Sequence, residues 1–110
     1  MRLHRPLRFR GEVVWLTPEQ GGRKSGPPPT PADQDYAATA YVPPATVEEG
    51  LASFVLRVVD RSAWRSAAEG DWLVVPSEGE QWVQPGSVVV VTEGARPVAY
   101  FHVQNVDATH

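Results

Sequence analysis

The sequence predicts an all-β protein of about six strands that forms one domain over residues 1 to 110. Three observations lead to this prediction: apolar residues alternate with polar ones in short runs, Pro or Gly turn signals separate the runs, and no segment suits a helix longer than two turns. This pattern is typical of sandwiches and small barrels. With 42% apolar residues, the chain is expected to bury a core without metal ions or disulfides.

The first predicted strand follows a basic N-terminal segment, residues 1 to 7, which we expect to be flexible. Alternation over residues 8 to 16 places the apolar residues on one face. That face consists of Phe9, Gly11, Val13 and Trp15. The strand ends where Pro18 removes a backbone donor. Residues 25 to 35 are rich in Pro and Gly, which indicates a long irregular loop with polyproline character.

Three further elements are predicted in the middle of the chain. Residues 36 to 42 alternate as a strand that Pro43-Pro44 ends, and residues 51 to 59 form a stronger β-branched and aromatic run. Residues 63 to 69 are compatible with a short helix because they include three alanines. A brief strand is expected over residues 71 to 76.

The last two predicted strands form a tight hairpin. Pro85-Gly86 marks a turn, residues 87 to 93 are a β-branched run, and Gly94-Ala95-Arg96 marks the turn into residues 97 to 106. Four consecutive valines leave no polar face in the first strand, so we expect it to be covered on both sides or to lie at the barrel centre. The predicted core includes Phe9, Val13, Trp15, Phe54, Leu56, Val89, Val91 and Phe101.

The charge of the chain is unevenly distributed. The net charge is −3, but residues 1 to 24 carry +4 and residues 25 to 110 carry −7. Nucleic-acid binders are usually basic overall, so the balance favours a protein partner, although the basic N-terminal part suits an anionic one. The absence of cysteine excludes disulfides and thiolate chemistry and favours a cytoplasmic location. No apolar run is long enough to predict a membrane span.

No pattern predicts catalysis, a metal or a cofactor. The histidines are His4, His102 and His110, which are scattered and lack carboxylates at ligand spacing. Gly21 to Gly26 lacks the spacing and the following helix of a phosphate loop, so no nucleotide is expected. The carboxylate pairs Glu48-Glu49 and Glu78-Glu80 fall in predicted turns. We therefore expect a non-enzyme without cofactors, and a small enzyme of unspecified reaction is the most remote alternative.

The tryptophans divide between core and surface in this prediction. They are Trp15, Trp64, Trp72 and Trp82. Most are needed to fill the core of so small a domain. Trp64 lies in the least regular segment and is the best candidate for exposure to solvent.

Two motifs occur in order over roughly residues 8 to 106. The first, Phe9 to Arg23, is a strand followed by Leu-Thr-Pro-Glu-Gln-Gly-Gly-Arg, and the second, Val83 to Ala99, joins Gln-Pro-Gly-Ser, a valine strand and Glu-Gly-Ala-Arg-Pro-Val-Ala. Both resemble the C-terminal β-barrel, the third domain, of elongation factor Tu, whose motifs read Leu-x-x-Glu-Glu-Gly-Gly-Arg, Met-Pro-Gly-Asp and Glu-Gly-Gly-Arg-Thr-Val-Gly. The chain departs from that family at Ala95, Pro97 and Ala99. In addition, Lys24-Ser25-Gly26-Pro27 replaces the family's His-Thr-Pro.

In that family the barrel helps to hold the T stem of aminoacyl-tRNA and packs against a GTPase domain. The resemblance implies a six-stranded antiparallel Greek-key barrel that is either a protein-interaction module with a protein partner or an RNA-binding barrel that takes tRNA. The strand count and the absence of long predicted helices lead us to expect a monomer or a weak dimer. The residues expected to contact a partner or an anion are Gly22, Arg23, Lys24, Gly94 and Arg96. If the resemblance holds, their two loops lie along one side, where one ligand touches both.

Overall fold

The computed structural model describes residues 3–31, 33–46, 51–73 and 83–107, and strands dominate these ranges. The strands are β1 (Phe9–Trp15), β2 (Tyr36–Tyr41), β3 (Ala52–Val58), β4 (Arg65–Trp72), β5 (Val88–Glu93) and β6 (Arg96–Val106). All pairs are antiparallel in the order β1-β4-β3-β2-β5-β6, and β6 pairs again with β1, so the barrel is closed. The predicted fold class is therefore confirmed.

The connectivity is that of a Greek key. Strands β2, β3 and β4 follow one another as neighbours, and β1, which reaches β2 through a long connection, lies beside β4. Because neighbouring strands are antiparallel, the connections β1–β2, β3–β4 and β5–β6 all lie at one end of the barrel. We call this the loop end, and it comprises residues 16–35, 59–64 and 94–95.

The barrel interior is organised around Phe54. The centroid of its ring lies 6.3 Å from that of Phe9, 5.0 Å from that of Trp72 and 6.1 Å from that of Phe101. Gly70 gives these rings their space, since a Cβ at this position would lie 2.9 Å from the rings of Phe54 and Phe101. The residues predicted for the core are all buried, namely Phe9, Val13, Trp15, Phe54, Leu56, Val89, Val91 and Phe101.

Strand β5 is covered on both faces, as its run of valines predicts. Val89 and Val91 belong to the core cluster inside the barrel. Val90 is nevertheless only 6% exposed, and its cross-strand neighbours are Tyr41 on β2 and Tyr100 on β6. We infer that these two tyrosines cover Val90 on the outer wall.

The prediction of a short helix over residues 63 to 69 is wrong, because β4 begins at Arg65 and continues to Trp72. This strand pairs with both β1 and β3, and every second side chain from Ser66 onwards is buried. Small residues on the inner face give a weak apolar signal, and strand pairing overrides the helix propensity of alanine. The predictions that fall outside the described residues concern Glu48, Glu49, residues 74 to 76, Glu78, Glu80, Trp82 and His110.

An N-terminal strap, residues 3–8, runs along the outer wall formed by β3 and β4. Arg8 Nη2 and Arg5 Nη1 lie 2.6 Å and 2.7 Å from the carboxylate oxygens of Asp71, which is fully buried. Burial raises the pKa of Asp71, but hydrogen bonds from Arg8 and Arg5 outweigh burial and hold this pKa below its usual range. The prediction of a flexible N-terminal segment did not anticipate these contacts.

We expect Phe54→Ala to lower the free energy of unfolding by about 3–5 kcal/mol, because the truncation leaves a cavity among three aromatic rings. Urea denaturation monitored by tryptophan fluorescence measures this loss. The matched control is Ser53→Ala, an exposed position on the same strand, where we expect a change within about 0.5 kcal/mol. Equal stability of the two variants would contradict the assigned inner face.

Asp71 should make the protein sensitive to acid. Its pKa is lower in the folded chain than in the unfolded chain, so the stability that it contributes is complete above the unfolded pKa of about 4 and disappears as pH falls through the folded pKa. Asp71→Asn should cost about 3–5 kcal/mol at pH 7, because it leaves Arg8 buried without a counter-charge. The variant should also have a flatter dependence of unfolding free energy on pH between 7 and 3. A wild-type slope retained in the variant would contradict this assignment.

Candidate functional site

A polar cluster joins the long β1–β2 connection to the β5–β6 turn at the loop end. Arg23 Nε lies 2.9 Å from Glu93 Oε2, and Arg23 Nη1 donates a hydrogen bond of 2.6 Å to the carbonyl of Gly26. Tyr36, the first residue of β2, donates its hydroxyl hydrogen bond to the same Glu93 oxygen. Burial raises the pKa of Tyr36, and Glu93 raises it further, so this phenol remains protonated at physiological pH.

The glycine and arginine predicted to bind an anion are engaged within the protein. The amide of Gly22 donates to the carbonyl of Thr17 at 2.9 Å, and a Cβ on Gly22 would lie 2.2 Å from the carbonyl oxygen of Leu16. Gly22 is therefore required by close packing. Arg23 is largely buried and is neutralised by Glu93.

The other predicted contact residues face solvent. Lys24, Gly94 and Arg96 are all exposed, and the backbone of Gly94 has a φ of +63° at the first position of the turn. Within the described ranges, the salt bridges include neither Lys24 nor Arg96. The structure thus brings the two predicted loops to the same end of the barrel. The contact that joins them there is an ion pair within the protein, between Arg23 and Glu93.

An exposed aromatic side chain lies at the same end. Trp64 is 44% exposed, which confirms the prediction of an exposed side chain at this position. Its carbonyl accepts a 2.8 Å hydrogen bond from the amide of Trp15, which fixes its backbone to β1. One edge of its ring packs over Gly26, where a Cβ would lie 3.2 Å away. Val59, on the same connection, is 77% exposed.

Hydrogen bonds within the β3–β4 connection fix its shape. Asp60 Oδ1 accepts from the amide of Ser62 at 3.1 Å and from its hydroxyl at 2.8 Å, and these bonds lower the pKa of Asp60. The amide of Asp60 donates to Ser66 Oγ at 2.8 Å. The short connection therefore presents Val59 and Trp64 from a defined backbone.

The guanidinium group of Arg61 holds the proline-rich loop against the barrel. Arg61 Nη1 donates to the carbonyls of Thr30, Pro31 and Gln34. Between the loop and the barrel lies a shallow cleft that encloses about 10 Å³ of space open to water. Its lining residues are Trp15, Pro28, Thr30, Tyr36, Leu56, Val58 and Arg61. This volume is far below the roughly 300–1,000 Å³ of typical small-molecule sites.

The sequence patterns did not identify four residues that contribute to the loop end, namely Glu93, Tyr36, Arg61 and Val59. Tyr36 and Glu93 are 57 positions apart, and no local pattern signals that they meet. Val59 was included in the strand predicted over residues 51 to 59, but it lies one residue beyond the end of β3. The turn signal Asp60-Arg61-Ser62 was the indication that this valine sits at a strand end.

Over the described part of the chain, no group of three or more His, Asp or Glu side chains has the arrangement of a metal site. None of the helical segments described there is long and apolar enough to cross a membrane. Comparison of the chain with models of protein families, with curated proteins and with solved structures finds no match.

Arg23→Ala and Arg96→Ala should differ in their effect on stability. Removing Arg23 leaves Glu93 without its cation and frees Gly26, at a cost of at most about 1 kcal/mol because water screens this partly exposed pair. Arg96→Ala should change the free energy of unfolding by less than about 0.5 kcal/mol, since Arg96 is exposed. Urea denaturation of both variants measures the difference. A larger loss in Arg96→Ala would contradict the assigned roles.

Proposed function

We propose that the protein is a non-catalytic protein-interaction module that binds its partner through the loop end. The observation that carries this proposal is the exposure of both Trp64 and Val59, on one short connection fixed by its own hydrogen bonds. The likeness of two sequence motifs to the C-terminal barrel of elongation factor Tu supports it, as do the negative net charge and the absence of cysteine. We further propose that the module acts in the cytoplasm as a monomer or weak dimer.

Trp64 has the properties of an interface anchor. Tryptophan is enriched among the few residues that carry most of the binding energy in protein interfaces. The hydrogen bond from Trp15 holds the backbone of Trp64, and Gly26 supports one edge of its ring. Little conformational freedom is therefore lost when a partner covers the ring, which favours affinity.

The charges of the loop end suit a protein partner better than a phosphate backbone. Nucleic-acid affinity comes mostly from unpaired Lys and Arg side chains that contact phosphates. Arg23 contacts Glu93, and Arg61 contacts three backbone carbonyls of the proline-rich loop. These arginines therefore stabilise the loop end itself, and their guanidinium groups are less available to contact the phosphates of a nucleic acid.

A tRNA-binding barrel is the second candidate function. The observation that favours it is the exposure of Lys24 and Arg96, which no salt bridge among the described residues neutralises. Both lie at the loop end, so one RNA backbone would contact both. Such binding would weaken steeply with salt, with about 0.7–0.9 logarithmic units of affinity lost per contact and per decade of salt.

The test is quantitative capture of partner proteins from lysate of the source cells by the wild-type protein and by variants. We expect Trp64→Ala to reduce capture of a specific partner at least tenfold and Val59→Ser to reduce it less. Tyr100→Ala is the matched control, because Tyr100 is an aromatic residue of similar exposure, 38%, on the outer wall of β6. Capture that is lost in Tyr100→Ala but not in Trp64→Ala would contradict the proposal.

The wild-type protein and one further variant distinguish the tRNA-binding alternative from the protein-interaction function. A double variant, Lys24→Ala with Arg96→Ala, should leave protein capture unchanged if the partner binds through Trp64. Binding of tRNA by the wild-type protein, with a steep salt dependence and loss in the double variant, would favour the RNA function over the protein-interaction function.

A further inference from the structure

We propose that the outer wall of β3 and β4 is a binding site for a peptide segment with the pattern Leu-x-Arg-x-Leu. In this structure the N-terminal strap occupies the site, and a partner protein that offers such a segment binds in its place. The inference stands apart from the loop end, because it rests on other residues and on another face of the barrel.

Burial alternates along the strap. Leu3 and Arg5 are half-buried and Leu7 is only 2% exposed, whereas His4 and Pro6 between them are exposed. Leu3 and Arg5 also form hydrogen bonds with residues of the barrel. Leu3, Arg5 and Leu7 therefore face the barrel wall, and the two intervening positions face solvent.

The outer wall of β3 and β4 includes an apolar contact surface that lies outside the barrel core. Val55 on β3 is fully buried, although its neighbours Phe54 and Leu56 are the residues that point into the barrel. Neither Val55 nor Leu7 belongs to the core cluster. We infer that the strap covers Val55, and burial of this kind favours an aliphatic residue at the position of Leu7.

Selectivity for arginine comes from Asp71 and the backbone beside it. Arg5 Nη1 donates to Asp71 Oδ2 at 2.7 Å, and Arg5 Nη2 donates to the carbonyl of Trp72. A lysine ammonium lacks the planar fork that serves a carboxylate and a carbonyl at the same time. The site therefore recognises an arginine two positions before the buried leucine.

A second ion pair recognises the peptide backbone. Arg57 and Asp35 form a bidentate pair with distances of 2.8 Å and 2.9 Å. Asp35 Oδ2 accepts from the amide of Leu3 at 3.0 Å, and Arg57 Nη2 donates to the carbonyl of Leu3 at 3.2 Å. These contacts fix the direction and register of the bound segment whatever its side chain at this position.

Arg8 compensates the charge of Asp71 when the rest of the strap detaches from the wall. It stays next to β1 and contacts both oxygens of Asp71, with Nε at 3.1 Å and 3.0 Å. Asp71 therefore keeps a counter-charge when Arg5 departs, so detachment does not leave a bare buried carboxylate. The tether gives the strap a high local concentration, and a competing segment must overcome this advantage.

The test uses the full chain and a fluorescently labelled synthetic peptide, Met-Arg-Leu-His-Arg-Pro-Leu, which copies residues 1 to 7. We expect the peptide to bind Arg5→Ala at least tenfold more tightly than the wild-type protein, because the weakened strap competes less. The control peptide has glutamine in place of its second arginine and should bind at least tenfold more weakly. Equal affinity for the two peptides, or for the two proteins, would overturn the proposal.

A second measurement does not depend on the stability of Arg5→Ala. The chain contains no cysteine, so a spin label can be attached at His4→Cys, an exposed position of the strap. Addition of the arginine peptide should make the label more mobile, and the glutamine peptide should not. An unchanged spectrum of the spin label at a saturating concentration of the arginine peptide would mean that the peptide does not displace the strap, and it would overturn the proposal. Exchange of straps between two copies, detected as a dimer by sedimentation, would overturn the assignment to a partner protein.

Discussion

The structure depends on the closure of the barrel between β2 and β5. This ladder pairs only Thr39 to Tyr41 with Val90 to Thr92. Thr92 is fully buried at the seam, and its hydroxyl lies 2.6 Å from that of Thr39. Without this pairing both strands would become open edges, which expose unpaired backbone groups and invite aggregation. Closure also brings Glu93 next to Tyr36, so the polar cluster with Arg23 continues the seam beyond the backbone ladder.

Closure determines what the loop end presents. Three connections are held at one end of a rigid barrel, and each is fixed by hydrogen bonds that reach another: Arg61 to the proline-rich loop, Arg23 to β5, and the Trp64 carbonyl to β1. These contacts engage Arg23 and Arg61 within the protein. Trp64 and Val59 are exposed to a partner, as are the cations Lys24 and Arg96. The internal use of the two arginines is the physical basis for preferring a protein partner.

Alternation and turn signals were enough to predict the strands and the core, because side chains on an antiparallel sheet repeat with a period of two. Phe9, Phe54 and Phe101 are buried as their patterns predict. Strand β4 was missed because its inner face is built from small residues until Trp72. Its assignment depends on pairing with β1 and β3, which no local pattern contains.

The site was less predictable than the fold. Arg23 and Arg96 were identified from a resemblance, and Gly22 from the glycine pair that precedes Arg23. Their positions at one end follow from antiparallel order, but Arg23 contacts a glutamate 70 positions away. Likewise, the contacts of Arg5 and Arg8 with Asp71 span more than 60 positions. Charge pairs of this kind depend on tertiary placement, whereas the exposure of Trp64 was predictable from the irregularity of its segment.

Hydrogen exchange of the protein alone and in complex with its captured partner tests the central claim most directly. If the loop end is the interaction surface, new protection appears in the amides of residues 59 to 64 and in the neighbouring β1–β2 connection, while the outer wall of β1 and β6 is unchanged. Protection confined to the outer wall, with residues 59 to 64 exchanging as in the free protein, would contradict the account.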